Sequence, residues 1–252
     1  MPANHGPFIW YEYAATDKDR AADFYAHVVP WTVSTFEVPG MPYTVFNAPD
    51  GGVGGLAERM EGQPGGWIGY VAVADVDETV AAYQANGGSV EVPAMDIPEV
   101  GRFAILADPG GARLAVMKPL STEMWKPDHI RMPGHAGWHE LFAHDGPQAF
   151  DFYAKVFGWG RSTGMDMGPM GTYQLFSQDG MDIGGIMTMT PQMPAPLWNF
   201  YFIVDGVDAA ADRARDKGAS LLMGPHQVPG GGWVVQMADP EGQLFSLLSS
   251  TK

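Results

Sequence analysis

Two glutamates stand out as groups able to do chemistry. Glu12 lies in Trp10-Tyr11-Glu12-Tyr13, and Glu140 lies in Trp138-His139-Glu140-Leu141. A carboxylate among apolar and aromatic neighbours can have its pKa raised and serve as a general acid or base. The same setting also suits a carboxylate that only accepts backbone or arginine hydrogen bonds and holds the fold together. Both readings stay open for Glu12 and Glu140. The histidines divide in a similar way. His139 is expected to pack under a helix, and His144 to sit in a loop entering one. His226, together with Glu140 and Asn199, offers an unorthodox divalent-metal site in the second half of the chain. His5, His27, His129 and His135 show no partner in the sequence.

The elements that must position these groups come in duplicate. Trp10, Glu12, Asp17, Phe24, Tyr25 and Trp31 meet Trp138, Glu140, Asp145, Phe152, Tyr153 and Trp159 at a constant offset of 128 residues. Tyr43 and Phe46 match Tyr173 and Phe176 at 130, and Trp67, Tyr70, Asp77 and Asp108-Pro109 match Trp198, Tyr201, Asp208 and Asp239-Pro240 at 131. A repeat of this length is a duplicated domain. Phe8 to Ala15 alternates apolar and polar types as a strand does. Thr16 or Asp17 caps a helix to Val29, whose Ala21, Phe24, Tyr25 and Val28 share one face. Strands are expected at Val33–Val38, Tyr43–Asn47 and Val53–Arg59, around a turn at Pro39-Gly40-Met41-Pro42. The order repeats as a strand Trp67–Ala74, a helix from Val76 to Asn86, and strands Ser89–Val92, Gly101–Ala107 and Ala112–Lys118. Each half therefore reads β-α-β-β-β twice, with residues 1–120 and 135–252 as domains and 121–134 as linker.

Composition narrows the function. The 252 residues are 46% hydrophobic and 17% charged, as in a globular chain with room for two cores. With 14 lysines and arginines and a net charge of −15, binding to nucleic acid is not expected. No apolar run is long enough for a membrane helix, and the N-terminus lacks the pattern of a signal peptide. Zero cysteines exclude a disulfide framework, a thiolate metal site and a thiol nucleophile, and a cytoplasmic setting is expected. No glycine pattern between a strand and a helix supports nucleotide binding. Gly54-Gly55 and Gly184-Gly185 recur in register and read as strand bends where backbones pass closely. Met165, Met167, Met170, Met181, Met187, Met189 and Met193 crowd one segment, either as an adaptable pocket wall or as core filling.

This order, with Thr16-Asp17, Phe24-Tyr25, Trp31, Val73-Ala74-Asp75-Val76-Asp77 and Gly101 to Gly111, resembles the vicinal oxygen chelate superfamily. Phe152-Tyr153, Phe157-Gly158-Trp159 and Ala238-Asp239-Pro240-Glu241-Gly242 carry the resemblance into the second half. It implies an α+β fold of two tandem domains. Each would hold two βαβββ modules in a cupped eight-stranded mixed sheet with helices on the convex side. Members of that superfamily include glyoxalase I, antibiotic-resistance proteins, an epimerase and extradiol dioxygenases, many holding a divalent metal in the cup through His, Gln or Glu. The matching positions here are Trp10, Trp138, Ile68, Asn199, Ala115 and Ser246, which include no usual ligand. No resident metal or other cofactor is therefore expected in the family position.

The resemblance places Trp10, Glu12, Tyr70 and Arg113 in the first cup, and Trp138, Glu140, Asn199, Tyr201 and Ser246 in the second, with His226 on a nearby loop. Aromatic walls with a few polar groups suit a small-molecule pocket. The expected function is binding of a small apolar or aromatic molecule by a monomer or homodimer. The competing reading is an enzyme: a lyase, isomerase or ring-cleaving dioxygenase with unorthodox metal ligands, or a metal-free acid/base enzyme using Glu140.

Overall fold

The computed structural model describes residues 6–38, 41–121 and 127–252. The expectations for Met1–His5, for the Pro39-Gly40 part of the first turn and for residues 122–126 of the linker lie outside the described residues. The first half of the chain forms β1 (Phe8–Ala15), α1 (Lys18–Val28), β2 (Thr32–Val38), β3 (Met41–Ala48) and β4 (Gly51–Glu58). It continues through β5 (Gly66–Ala72), α2 (Val76–Ala85), β6 (Ser89–Ile97), β7 (Gly101–Ala107) and β8 (Arg113–Pro119). The second half gives β9 (Ala136–Ala143), α3 (Gly146–Phe157), β10 (Gly160–Asp166), β11 (Thr172–Gln178) and β12 (Met181–Thr188). It ends with β13 (Leu197–Ile203), α4 (Val207–Asp216), β14 (Ser220–Gln227), β15 (Trp233–Ala238) and β16 (Leu244–Ser249).

Two eight-stranded mixed sheets result, in the orders β2-β3-β4-β1-β5-β8-β7-β6 and β10-β11-β12-β9-β13-β16-β15-β14. In each module the first strand runs parallel to the last, as β1 does to β4 and β9 to β12. The helix between them is the crossover that a parallel pair requires. Asp17, Asp75 and Asp145 cap α1, α2 and α3 by accepting the N–H of Arg20, Glu78 and Gln148. Gly158 ends α3 at φ 72°, a left-handed turn that glycine adopts without strain. β6 reaches Ile97 rather than stopping at Val92, with register shifts after Val90 and Val92 that carry the strand past the interruption.

The chain packs as two compact units, and each draws on both halves of the sequence. One comprises Met1–Ile9, Gly69–Trp125 and Trp138–Trp198; the other comprises Trp10–Ile68, Lys126–Gly137 and Asn199–Lys252. The recurring Asp-Pro and Phe-Tyr motifs explain the pairing. In the second unit Tyr13 and Tyr25 both donate to Asp239, Tyr25 at 2.7 Å. In the first, Tyr153 donates to Asp108 at 3.0 Å. Each aspartate also accepts two N–H groups of its own turn, Asp108 from Gly110 and Ala112, and Asp239 from Glu241 and Gln243. A tyrosine from one half thus satisfies a buried aspartate from the other, where an unpaired partner would cost about 1–3 kcal/mol.

Candidate functional site

Alternation along the first strand of each half decides which side chains meet the helices. Tyr13 packs against Tyr25 and Trp67, and Tyr11 against Phe200 and Phe202, so both face the helical side. Trp10 and Glu12 therefore face away from it. In β9, His139 stacks on Phe8 at 4.0 Å between ring centres, fully inside the core of its unit. Its Nδ1–H donates to the Ile183 carbonyl at 2.7 Å. Burial pushes its pKa down to about 4, against the smaller opposing effect of that hydrogen bond. His139 is thus a neutral core residue under the helices, as its strand position led one to expect. Trp138 and Glu140 occupy the opposite face.

On that face the structure builds the same three-residue chain twice. In the first unit the Trp138 indole N–H donates to the Tyr173 hydroxyl at 2.8 Å, and Tyr173 is hydrogen-bonded to Glu140. In the second unit Trp10 donates to Tyr43 at 3.1 Å, and Tyr43 donates to Glu12 at 2.8 Å. Burial and then the charge of Glu140 raise the Tyr173 pKa well above the phenol range, so Tyr173 is a neutral donor. The two copies differ in depth. Glu140 is 7% exposed, whereas Glu12 is half-buried. Trp10 and Trp138 are both half-buried.

The tyrosines were missed by sequence reasoning as site residues, and the paired glycines were the signal that could have found them. A Cβ on Gly185 would fall 2.2 Å from Tyr173 Cζ, and one on Gly55 would fall 2.4 Å from the Tyr43 hydroxyl. Gly55 and Gly185 keep clear the space in which each tyrosine ring crosses β4 or β12 to reach its glutamate. Gly54 and Gly184 do pass close to backbone, at the Tyr11 and His139 carbonyls.

The other expected site residues are placed as follows. Tyr70 is buried beside Phe103 in the first unit. Arg113, in the same unit, is ion-paired at 2.5 Å with Glu91 of β6. In the second unit Asn199 Nδ2 donates to Ser246 Oγ at 2.9 Å, and Gln236 donates to the Tyr201 hydroxyl at 2.7 Å. Tyr201, Ser246 and Gln236 sit side by side on β13, β16 and β15, all buried. His226 is exposed on β14 and belongs to no metal-type cluster among the described residues. Of the methionines in the 165–193 segment, Met187 is in the core, while Met167 and Met170 are exposed at 38% and 45%, so core filling does not account for the group.

The positions at which the resemblance puts metal ligands do not fit one. Trp10 and Trp138 donate through indole N–H groups, Ile68 and Ala115 have no donor atom, and Asn199 and Ser246 are bonded to each other. A transition ion needs imidazole or carboxylate donors converging on one point. Such convergence occurs elsewhere, and sequence reasoning missed it. In the second unit His129 and His135, which looked partnerless, meet Asp50 in the turn between β3 and β4, with all three ligand atoms within 4.8 Å of one another. Burial works to raise the Asp50 carboxyl, and the adjacent imidazoles, His135 above all, outweigh it and hold the carboxyl below its usual range. The stretch expected as linker is accordingly tied down: Pro127–Arg131 form a short 3-10 turn, Trp31 donates to the Gly134 carbonyl at 2.8 Å, and Gly134 donates to that of Ile203 at 2.8 Å.

A cavity of about 680 Å³ lies in the first unit beside the start of α3, lined among others by Asn86, Asp108, Gly110, His144, Asp145 and Lys155. It does not include Trp138, Tyr173 or Glu140. In the second unit the residue matching Gly110 is Glu241, whose carboxylate accepts the N–H of Thr16 and Asp17 at 3.0 and 3.1 Å.

Comparison with known proteins accords with this architecture. The family model described as Glyoxalase/Bleomycin resistance protein/Dioxygenase superfamily matches residues 8–116 and again 126–247. The chain is 30% identical over 253 residues to "Putative glyoxylase CFP32" of Mycobacterium tuberculosis, covering 95% of this chain and 93% of that protein. It is 28% identical over 261 residues to the anthracycline biosynthesis protein DnrV of Streptomyces peucetius, covering 96% and 93%. Among solved structures, the 2,3-dioxygenase LapB of Pseudomonas sp. KL28 shares the fold at TM-score 0.66 and 15% identity, over 100% of this chain and 94% of that one. The Mn(II)-bound glyoxalase of Novosphingobium aromaticivorans does so at TM-score 0.65 and 17% identity, over 99% and 83%.

Proposed function

The chain belongs to the glyoxalase/bleomycin resistance protein/dioxygenase superfamily, and we propose that within it the protein binds a small, largely apolar or aromatic molecule against Trp138, Tyr173 and Glu140. The observation that carries this reading is the hydrogen-bonded Trp138–Tyr173–Glu140 chain. A half-buried indole supplies a flat apolar surface, and a buried carboxylate beside it supplies one strong acceptor. A ring bearing a hydroxyl or N–H would stack on Trp138 and donate to Glu140. Tyr173 fixes the orientation of both groups before the ligand arrives, which lowers the ordering cost of binding. No family-type metal enters this reading, because the matching positions lack its ligands. The relative DnrV is named as an anthracycline biosynthesis protein, and anthracyclines are fused-ring aromatic compounds.

A hydroxylated anthraquinone is therefore a suitable first probe. Titrated into the full chain, it is expected to quench tryptophan fluorescence saturably. Glu140→Gln should weaken binding by about tenfold or more, the worth of one charge-assisted hydrogen bond. Equal affinity in wild type and Glu140→Gln would remove Glu140 from the site. The same variant separates binding from catalysis. A substrate whose turnover falls at unchanged affinity in Glu140→Gln would make Glu140 a general base instead.

A further inference from the structure

The cluster of Asp50, His129 and His135 has no part in that reading and sits on other elements. Asp50 occupies the turn joining β3 to β4, and both histidines lie between β8 and β9. His135 Nε2 lies 2.8 Å from Asp50 Oδ1, and His129 Nε2 lies 3.3 Å from Asp50 Oδ2. The imidazole rings are stacked, 4.2 Å apart at 27°, so both present their Nε2 atoms to one carboxylate.

Local backbone structure sets this geometry before any ion arrives. The 3-10 turn Pro127–Arg131 is followed by hydrogen bonds from Met132 N–H to the His129 carbonyl at 3.0 Å and from His135 N–H to that of Met132 at 3.1 Å. These successive turns bring two histidines six positions apart to the same side. Ile203 N–H donates to the His135 carbonyl at 2.8 Å, anchoring the second histidine to β13.

We propose that Asp50, His129 and His135 form a binding site for a divalent first-row transition ion, zinc being the simplest case. Two imidazoles and one carboxylate are a donor set that zinc, iron and their neighbours accept. Donors each about 2.0–2.1 Å from one ion lie roughly 2.9–3.4 Å from each other. The nitrogen–oxygen separations of 2.8 and 3.3 Å already match this within a small side-chain adjustment. Side-chain exposures of 24% for Asp50, 14% for His129 and 9% for His135 leave a route for an ion while shielding the donors from bulk water. Three protein ligands leave at least one coordination position for water. The ion would clamp the segment between β8 and β9 to the β3–β4 turn, which the His135–Asp50 hydrogen bond and the His129–Asp50 contact hold only weakly.

The test uses the full chain, stripped with a chelator and desalted, then titrated calorimetrically with zinc. Cobalt(II) provides an independent visible-absorption signature of coordination. The expected result is uptake of one ion per chain, with a Kd below about 10 μM. Asp50→Asn and His129→Gln should each weaken it at least about tenfold and abolish the cobalt bands. Asp50→Asn is nearly isosteric, so unchanged circular dichroism confirms an intact fold in that variant. His226→Gln should bind as wild type does. Absence of stoichiometric zinc in the wild type would overturn the proposal, as would full affinity in Asp50→Asn, or loss in His226→Gln alone. Anthraquinone quenching is read separately and does not depend on either result.

Discussion

Single residues carry two kinds of role here, and the two kinds were unequally visible in the sequence. Glu12 and Glu140 were identifiable because a charged residue recurred at one register position of an aromatic strand. Tyr43 and Tyr173 were not, since a tyrosine in a strand is ordinarily core and only the structure shows its hydroxyl reaching a glutamate. His129 and His135 were invisible for another reason: their partner, Asp50, is remote in sequence. His139 was readable from alternation alone, and its burial has a measurable consequence. Its pKa falls from 6.5 unfolded to about 4 folded, so the unfolded chain binds the extra proton between those values. Stability is therefore full above pH 6.5 and is lost as the pH falls toward 4, by about 3 kcal/mol in total. His139→Phe keeps the ring stacked on Phe8. Denaturant melts at pH 4.5 and 7.5 should show a smaller difference in this variant than in the wild type; an equal difference would show that His139 does not titrate as described.

At the level of elements, the order of strands and helices followed closely from periodicity and capping. β1 lies where alternation puts it, and α1 is capped by Asp17, one of the two residues that helix-start signals offered. β6 runs past Pro93, which falls within the register shift between Val92 and Met95, where pairing with β7 is interrupted. The glycines of β4 and β12 show where sequence pattern gives position without reason: Gly185 is required by a ring on β11, two strands from the glutamate that ring serves. Gly185→Ala places a methyl inside the Tyr173 ring position. It should destabilise the protein by about 1–3 kcal/mol, as overpacking does, and should also weaken anthraquinone quenching. Denaturant unfolding and the fluorescence titration check the two effects. Unchanged binding in a folded Gly185→Ala protein would mean that Tyr173 does not orient the site.

For the whole molecule, duplication in sequence and compactness in space divide the chain differently. The repeat divides near residues 121–134, but each compact unit takes modules from both sides of that division. Tyr25 needs Asp239, and Tyr153 needs Asp108. Residues 1–120 produced alone should therefore lack near-ultraviolet circular dichroism and cooperative unfolding, and mixing them with residues 121–252 should restore both. Cooperative folding of either half alone would contradict this and favour independent sequence domains. The proposed function rests on a smaller part of the molecule, the half-buried Trp138 hydrogen-bonded to Tyr173 beside Glu140. The most direct test is the indole N–H resonance of Trp138 in a proton–nitrogen spectrum, assigned by its absence in Trp138→Phe. Addition of the anthraquinone should shift that resonance saturably, and Glu140→Gln should require more probe for the same shift. A Trp138 resonance that stays unmoved while the probe binds would contradict the account.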